Sequence, residues 1–247
     1  MLARAAAFFI SDDAAIEVAV TRLDVAPEAV GAAAALLSAA ERQRAGRFAF
    51  MRDRRRFTVA RARLRQLLGA RLQVRPDAVE FVYGEYGKPA LARPFADSAL
   101  RFNVAHAADV AVYAFSSGRE IGIDVEAVGV MDDAAAIAER FFSRRENEAY
   151  RALDPGDRLL GFFNCWTRKE AFIKALGQGF DHPWDSFDVT LAPAEPARFL
   201  RIGNTSGEAC GWALHSFVPG PGLVGAVVVQ HADDDPAAAQ YGTRLPG

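Results

Sequence analysis

Apolar and polar positions alternate through residues 15 to 24, AIEVAVTRLD, and this period, with its β-branched side chains, predicts a strand. Residues 28 to 45 are rich in alanine and leucine and predict a helix. From Asp53 to Leu72 the residues Phe57, Ala60, Leu64, Leu67 and Leu68 form one stripe at helical spacing, with arginines on the other faces. A short strand is expected from Val79 to Tyr83, a turn from Gly84 to Pro89, and β-like runs at Leu100 to Val104 and Val110 to Ser116. Gly118 closes this half.

A similar order of elements then recurs, starting with a strand from Ile121 to Val125. Ser143 stands three residues before Glu146, the signature of a capping box at a helix start. Residues 158 to 176 carry the strongest helical pattern, ended by the glycines of LGQGF. Further strands are expected at Phe187 to Leu191, Ala209 to Phe217 and Leu223 to Gln230, and a mobile tail from Ala232. The pattern is that of an α+β protein with an N-terminal lobe over 1–117, a C-terminal lobe over 118–231 and a tail over 232–247.

Composition narrows the classes. Half of the 247 residues are hydrophobic, enough for a substantial core. The opening MLARAAAFFISDD is interrupted by Ser11, Asp12 and Asp13 before a signal core or membrane span is complete, so a cytoplasmic protein without a membrane partner is expected. Cys165 and Cys210 lie far apart and without metal-ligand spacing, which argues against a disulfide framework or a zinc site. The net charge of −2 conceals an arginine-rich stretch between Glu41 and Arg75, expected to attract polyanions. The only lysines are Lys88, Lys169 and Lys174.

Candidate chemistry sits in four segments. In REIGIDVEAV, Asp124 and Glu126 are two apart in a strand and project to one face, where a cation between them would relieve their repulsion. In NCWTRKEAFIKALGQG, Trp166, Glu170 and Lys174 share a helix face; alone, this spacing is better read as an amphipathic helix with a Glu170–Lys174 surface pair. Three carboxylates from Asp124, Glu126 and Glu170 would make an all-oxygen set suited to Mg²⁺ or Mn²⁺. His106 follows a predicted strand in RFNVAHAAD, and Lys88 occupies a rigid turn in EYGKPAL, a compact charge suited to phosphate.

Taken in order, YGKP, FNVAH, GIDVE, FFS with Glu146, and WTRKEAFIKALGQG resemble the 4′-phosphopantetheinyl transferase superfamily, in its large two-lobed type related to surfactin synthetase activators. The resemblance covers residues 41 to 190. It implies a pseudo-dimeric fold of two similar α/β lobes with the active site between them, working as a monomer. It also implies an enzyme of the holo-acyl-carrier-protein synthase type, which moves the phosphopantetheine arm of coenzyme A to a serine of an apo acyl or peptidyl carrier protein and releases 3′,5′-ADP.

Carried over by position, the resemblance gives Asp124, Glu126 and Glu170 as metal ligands. Lys88, His106, Lys169 and Lys174 would hold the nucleotide phosphates, and Arg44 and Arg56 the 3′-phosphate region. Glu170, then Glu126, would accept the serine proton, with His106 neutralising the pyrophosphate. The chain departs from the family pattern in carrying Ala105 where a serine is usual, with Ala107 and Ala108 after the histidine. A catalytically silent homologue that binds carrier proteins is the alternative. A nucleic-acid-binding protein would account for the arginines but not for the acids, and no nucleic-acid partner is expected.

Overall fold

The computed structural model describes residues 6–9, 16–206 and 211–232. Two antiparallel sheets, each backed by a long helix, stand side by side. In the first, β1 (Ala6–Phe9), β2 (Glu17–Arg22), β5 (Leu100–Ala107) and β6 (Val110–Ser117) run in the order β1-β2-β6-β5. Helix α3 (Met51–Leu72) covers one face of it, placing Leu64 and Leu68 in a core with Phe102, Tyr113 and Phe115. The Tyr113 hydroxyl donates to the Ala60 carbonyl at 2.9 Å and fixes helix to sheet.

The second sheet has the order β11-β12-β7, from β7 (Ile121–Ala127), β11 (Trp212–Phe217) and β12 (Leu223–Gln230). Its helix, α6 (Arg158–Leu176), lies directly on β7 because Gly122 carries no side chain. A Cβ there would sit 2.0 Å from the Ala171 carbonyl oxygen and 2.4 Å from the Ala175 nitrogen. A third apolar cluster, with Val18, Val112, Ile121, Ile123 and Val227, joins the two sheets. Asn103 on β5 also crosses between them, its Oδ1 accepting from the Ile123 amide at 3.1 Å.

Smaller elements complete the two faces. A hairpin of β3 (Phe81–Tyr83) and β4 (Pro89–Leu91) carries the Gly84–Lys88 turn. Helices α4 (Ala134–Phe141) and α5 (Arg144–Ala152) precede α6, and β8 (Phe187–Val189), β9 (Phe199–Ile202) and β10 (Thr205–Ser206) follow it. The capping box is present: Ser143 N–H donates to Glu146 Oε2 at 2.8 Å and Glu146 N–H to Ser143 Oγ at 3.2 Å. The same buried Glu146 accepts from Lys169 Nζ and, through Oε1, from the Val189 amide at 2.9 Å.

Several boundaries differ from the sequence reading. The helix expected over 28–45 is two helices, α1 (Pro27–Ala34) and α2 (Ala39–Gly46), because Ser38 and Glu41 form a second capping box that starts the chain afresh. The strand expected to end at Val104 runs on to Ala107, so His106 lies within β5 rather than after it. Pro89, read as the end of a turn, instead opens the strand Pro89–Leu91, which pairs with β3. Residues 209–210, Cys210 and the tail beyond 232 lie outside the described residues, while Cys165 is buried. Among the described residues no helix is long and apolar enough to cross a membrane.

Candidate active site

Strand β7 and helix α6 bring the acids together. Asp124 is buried, and its Oδ1 accepts from Lys174 Nζ at 2.5 Å. Glu170 stands one helical turn before Lys174, and Trp166, one turn earlier still, lies near Glu126. Burial pushes the Glu170 carboxyl up to about 7, with Asp124 and Glu126 adding to the rise and Lys174 opposing it. Burial likewise raises Glu126, helped by the neighbouring Asp124 charge. For Lys174 burial works against the charge, but Asp124, Glu170 and Glu126 together outweigh it and hold the ammonium above the ordinary lysine range.

Whether these residues suit a divalent metal is a question of donors and geometry. Their oxygens are hard ligands of the kind Mg²⁺ takes. Asp124 Oδ2 is buried without a hydrogen-bond partner, an acceptor that a cation would satisfy. Among the described residues, however, no three metal-ligating side chains are gathered closely enough to form a ready shell. The donor chemistry fits, without a preformed shell.

Beside this cluster lie two joined chambers. The larger, about 490 Å³, is lined by Arg44, Arg56, Phe57, Arg61, His106 and Ala108 among others. The smaller, about 260 Å³, is lined by Tyr86, Lys88, Asn103, Glu170, Lys174 and Trp184 among others. Gly87, Pro89 and Val104 border both. The β3–β4 turn therefore divides the cleft, and the left-handed Gly87, at φ 79°, lets it turn tightly there. The imidazole of His106 is held below the ordinary histidine range by partial desolvation and then by the Lys174 charge.

The phosphate-binding residues implied by the resemblance divide. Lys174, His106 and Arg44 face the cleft, Arg44 lying 5.4 Å from the Phe57 ring centre. Lys88 reaches it too, but its Nζ donates to Glu120 at 3.0 Å and to the Ala175 carbonyl at 2.8 Å, tying the turn to the end of α6. Lys169 does not reach it. Its ammonium is wholly buried, bonded to both Glu146 oxygens and the Phe187 carbonyl, so its place is structural. Residue order along α6 explains the difference: Lys169 and Glu170 are consecutive, about 100° apart around the helix, so they meet different neighbours.

The arginine-rich stretch is less free than its composition suggests. Arg61 and Arg65 pair with Glu41, Arg71 with Glu17, and Arg56 with Asp24. Sequence reasoning also missed Asn103, Tyr86 and Trp184 as lining residues. Only Asn103 left a signal, a carboxamide between the apolar Phe102 and Val104.

Residues 25–118 match the family described as 4′-phosphopantetheinyl transferase, N-terminal, and residues 120–226 match the 4′-phosphopantetheinyl transferase superfamily. The chain is 41% identical to 4′-phosphopantetheinyl transferase HetI of Nostoc sp. over 79% of each chain. It is 33% identical to 4′-phosphopantetheinyl transferase Sfp of Bacillus subtilis, over 63% of this chain and 66% of that one. Against the L-aminoadipate-semialdehyde dehydrogenase-phosphopantetheinyl transferase of Mus musculus it is 29% identical, over 69% of this chain and 56% of the relative. An acid pair on a strand, a Glu–Lys pair on the facing helix and a two-chambered cleft beside them thus occur in a chain that belongs to the 4′-phosphopantetheinyl transferase superfamily.

Proposed function

We propose that this protein transfers the 4′-phosphopantetheine arm of coenzyme A to a serine of an apo acyl or peptidyl carrier protein. The observation that carries the reading is the junction of the Asp124–Glu126–Glu170–Lys174 cluster with a cleft whose other walls hold Arg44 and His106. The nucleotide would occupy the larger chamber and the pyrophosphate the border with the smaller one.

In the reaction the serine Oγ attacks the phosphorus that bears the pantetheine arm. The bond from that phosphorus to the bridging pyrophosphate oxygen breaks, and 3′,5′-ADP leaves. Lys174 and His106 neutralise the pyrophosphate, and Lys88 holds the turn beside it. Glu170, poised near 7, takes the serine proton, with Glu126 second in line. Mg²⁺, or Mn²⁺ in its place, would be held by Asp124, Glu126 and Glu170 and would supply charge neutralisation at the phosphoryl oxygens.

Two lobes, 1–117 and 118–231, contribute opposite walls of the cleft in this reading. Because both walls come from one chain, we take the protein to act as a monomer, and as a cytoplasmic one. The test is to incubate it with coenzyme A, Mg²⁺ and a panel of apo carrier proteins and to seek the added mass of the arm. Transfer to acyl carriers alone would identify the acyl-carrier synthase subtype. Tight coenzyme A binding with no transfer to any carrier would indicate a silent homologue instead.

A further inference from the structure

The turn after His106 is strained and held. Residues 108 and 109 form a two-residue loop between β5 and β6, in which Ala107 pairs with Val110. Ala108 has φ 49°, and the following Asp109 does not share a positive φ. A hairpin of this kind favours glycine at its first loop position, and an alanine there persists only when its surroundings hold it.

The hold comes from Arg56. Its NH1 donates to the Ala108 carbonyl at 2.6 Å, while Nε and NH2 grip Asp24 at 2.8 and 2.6 Å as a two-pronged pair. That pairing lowers the Asp24 carboxyl, first through the hydrogen bond itself. The second loop residue is tied as well, since Asp109 pairs with Arg22 and its carbonyl accepts from the Leu23 amide. Helix α3 and the end of β2 thus clamp a loop that begins two residues after His106.

We infer that Arg56 is a positioning residue: anchored by Asp24, it holds the Ala108 carbonyl and so sets the turn that presents His106 to the larger chamber. It is not the reader of the coenzyme A 3′-phosphate. Its fork is engaged on both edges, and a planar guanidinium held this way is fixed rather than available. The inference takes the identity of its ligand from the transferase reading.

Asp24 separates the alternatives because it does not line the chamber. If Arg56 reads an anion, removing the Asp24 charge frees it and coenzyme A binds as well or better. If Arg56 positions the turn, Asp24→Asn weakens binding as Arg56→Ala does. Calorimetric titration with coenzyme A and with dephospho-coenzyme A should show both variants about tenfold weaker for each, because the misplaced turn affects both ligands alike, with the wild-type ratio between them kept. The imidazole resonance of His106 should move in both variants while those of His182 and His215 stay.

Three results would overturn the inference: Asp24→Asn binding at wild-type strength or tighter, Arg56→Ala losing the preference for coenzyme A, or an unmoved His106 resonance. Should the wild type bind no coenzyme A, the transferase reading fails. The His106 resonance tests the clamp even then.

Discussion

Lys174 Nζ and Asp124 Oδ1, on elements fifty residues apart in sequence, meet at 2.5 Å where α6 crosses β7. The carboxylate is buried and the ammonium a third exposed, so the pair is unequal. Burial raises the Asp124 carboxyl despite the ammonium beside it, which means that the ionised form is costly in the fold.

Replacing Asp124 with a neutral isostere should therefore separate stability from activity. In Asp124→Asn the amide oxygen still accepts from Lys174, and unfolding in urea at pH 7 should show the metal-free protein at or above wild-type stability. Asp124→Ala leaves Lys174 without that partner and opens a cavity, at a cost of about 1–3 kcal/mol. Both variants should lose most transfer activity. Normal transfer by Asp124→Asn across a Mg²⁺ series would remove the metal assignment.

Glu170 makes a pH-dependent contribution of known sign. Its carboxyl rises from the ordinary 4.5 to about 7 on folding, so the folded state holds a proton that the unfolded state has released. Stability of the metal-free protein should fall as pH rises from about 4.5 to 7 and then level off, by no more than roughly 3 to 4 kcal/mol from this group. Partial exposure of the side chain makes the true figure smaller. Glu170→Gln should flatten that slope in a urea-midpoint series taken across the range.

Lys169 and Lys174 should answer differently to substitution. Lys169→Met strands the buried Glu146 and should cost about 3–5 kcal/mol, read by thermal or urea unfolding. Coenzyme A affinity of the remaining folded protein should be unchanged. Lys174→Arg should fold normally and lose transfer rate, because the broader fork does not fit where the ammonium sits. A coenzyme A defect in folded Lys169→Met would return that residue to the binding set.

For the 3′-phosphate the exposed Arg44 is the expected reader. The ratio of kcat/KM for coenzyme A over dephospho-coenzyme A should fall in Arg44→Ala by roughly ten- to a hundredfold, the range of a lost charge-assisted contact. An unchanged ratio would leave the 3′-phosphate to another basic group.

Gly122→Ala tests the packing that brings the acids together. A methyl group 2.0 Å from the Ala171 carbonyl has nowhere to go except by lifting α6 from β7. The expected loss exceeds about 3 kcal/mol, measured by chemical unfolding. A mild effect would mean that helix and strand yield easily.

Local patterns left the clearest marks in the sequence. The stripe on α3, the capping box at Ser143 and the same-face acids on β7 each follow from spacing within a few residues, and each is seen in the structure. What spacing does not carry is which partner a charge will find. Lys169 and Lys174 belong to one motif, yet a distant capping residue, Glu146, captures the first and a strand carboxylate the second. Arg56 reads as one more charge in a basic run until Asp24 and Ala108 are beside it. The break at Ser38 was legible by the same rule applied at Ser143, but the alanine-rich flanks masked it.

Glu146 has a consequence for how the C-terminal half comes apart. One carboxylate caps α5, neutralises an α6 ammonium and receives an amide of β8. None of these three elements can detach without leaving that charge, or Lys169, stranded in the interior. Amide hydrogens in α5, α6 and β8 should consequently exchange with solvent at a common opening free energy, as a single cooperative block rather than as three fraying pieces.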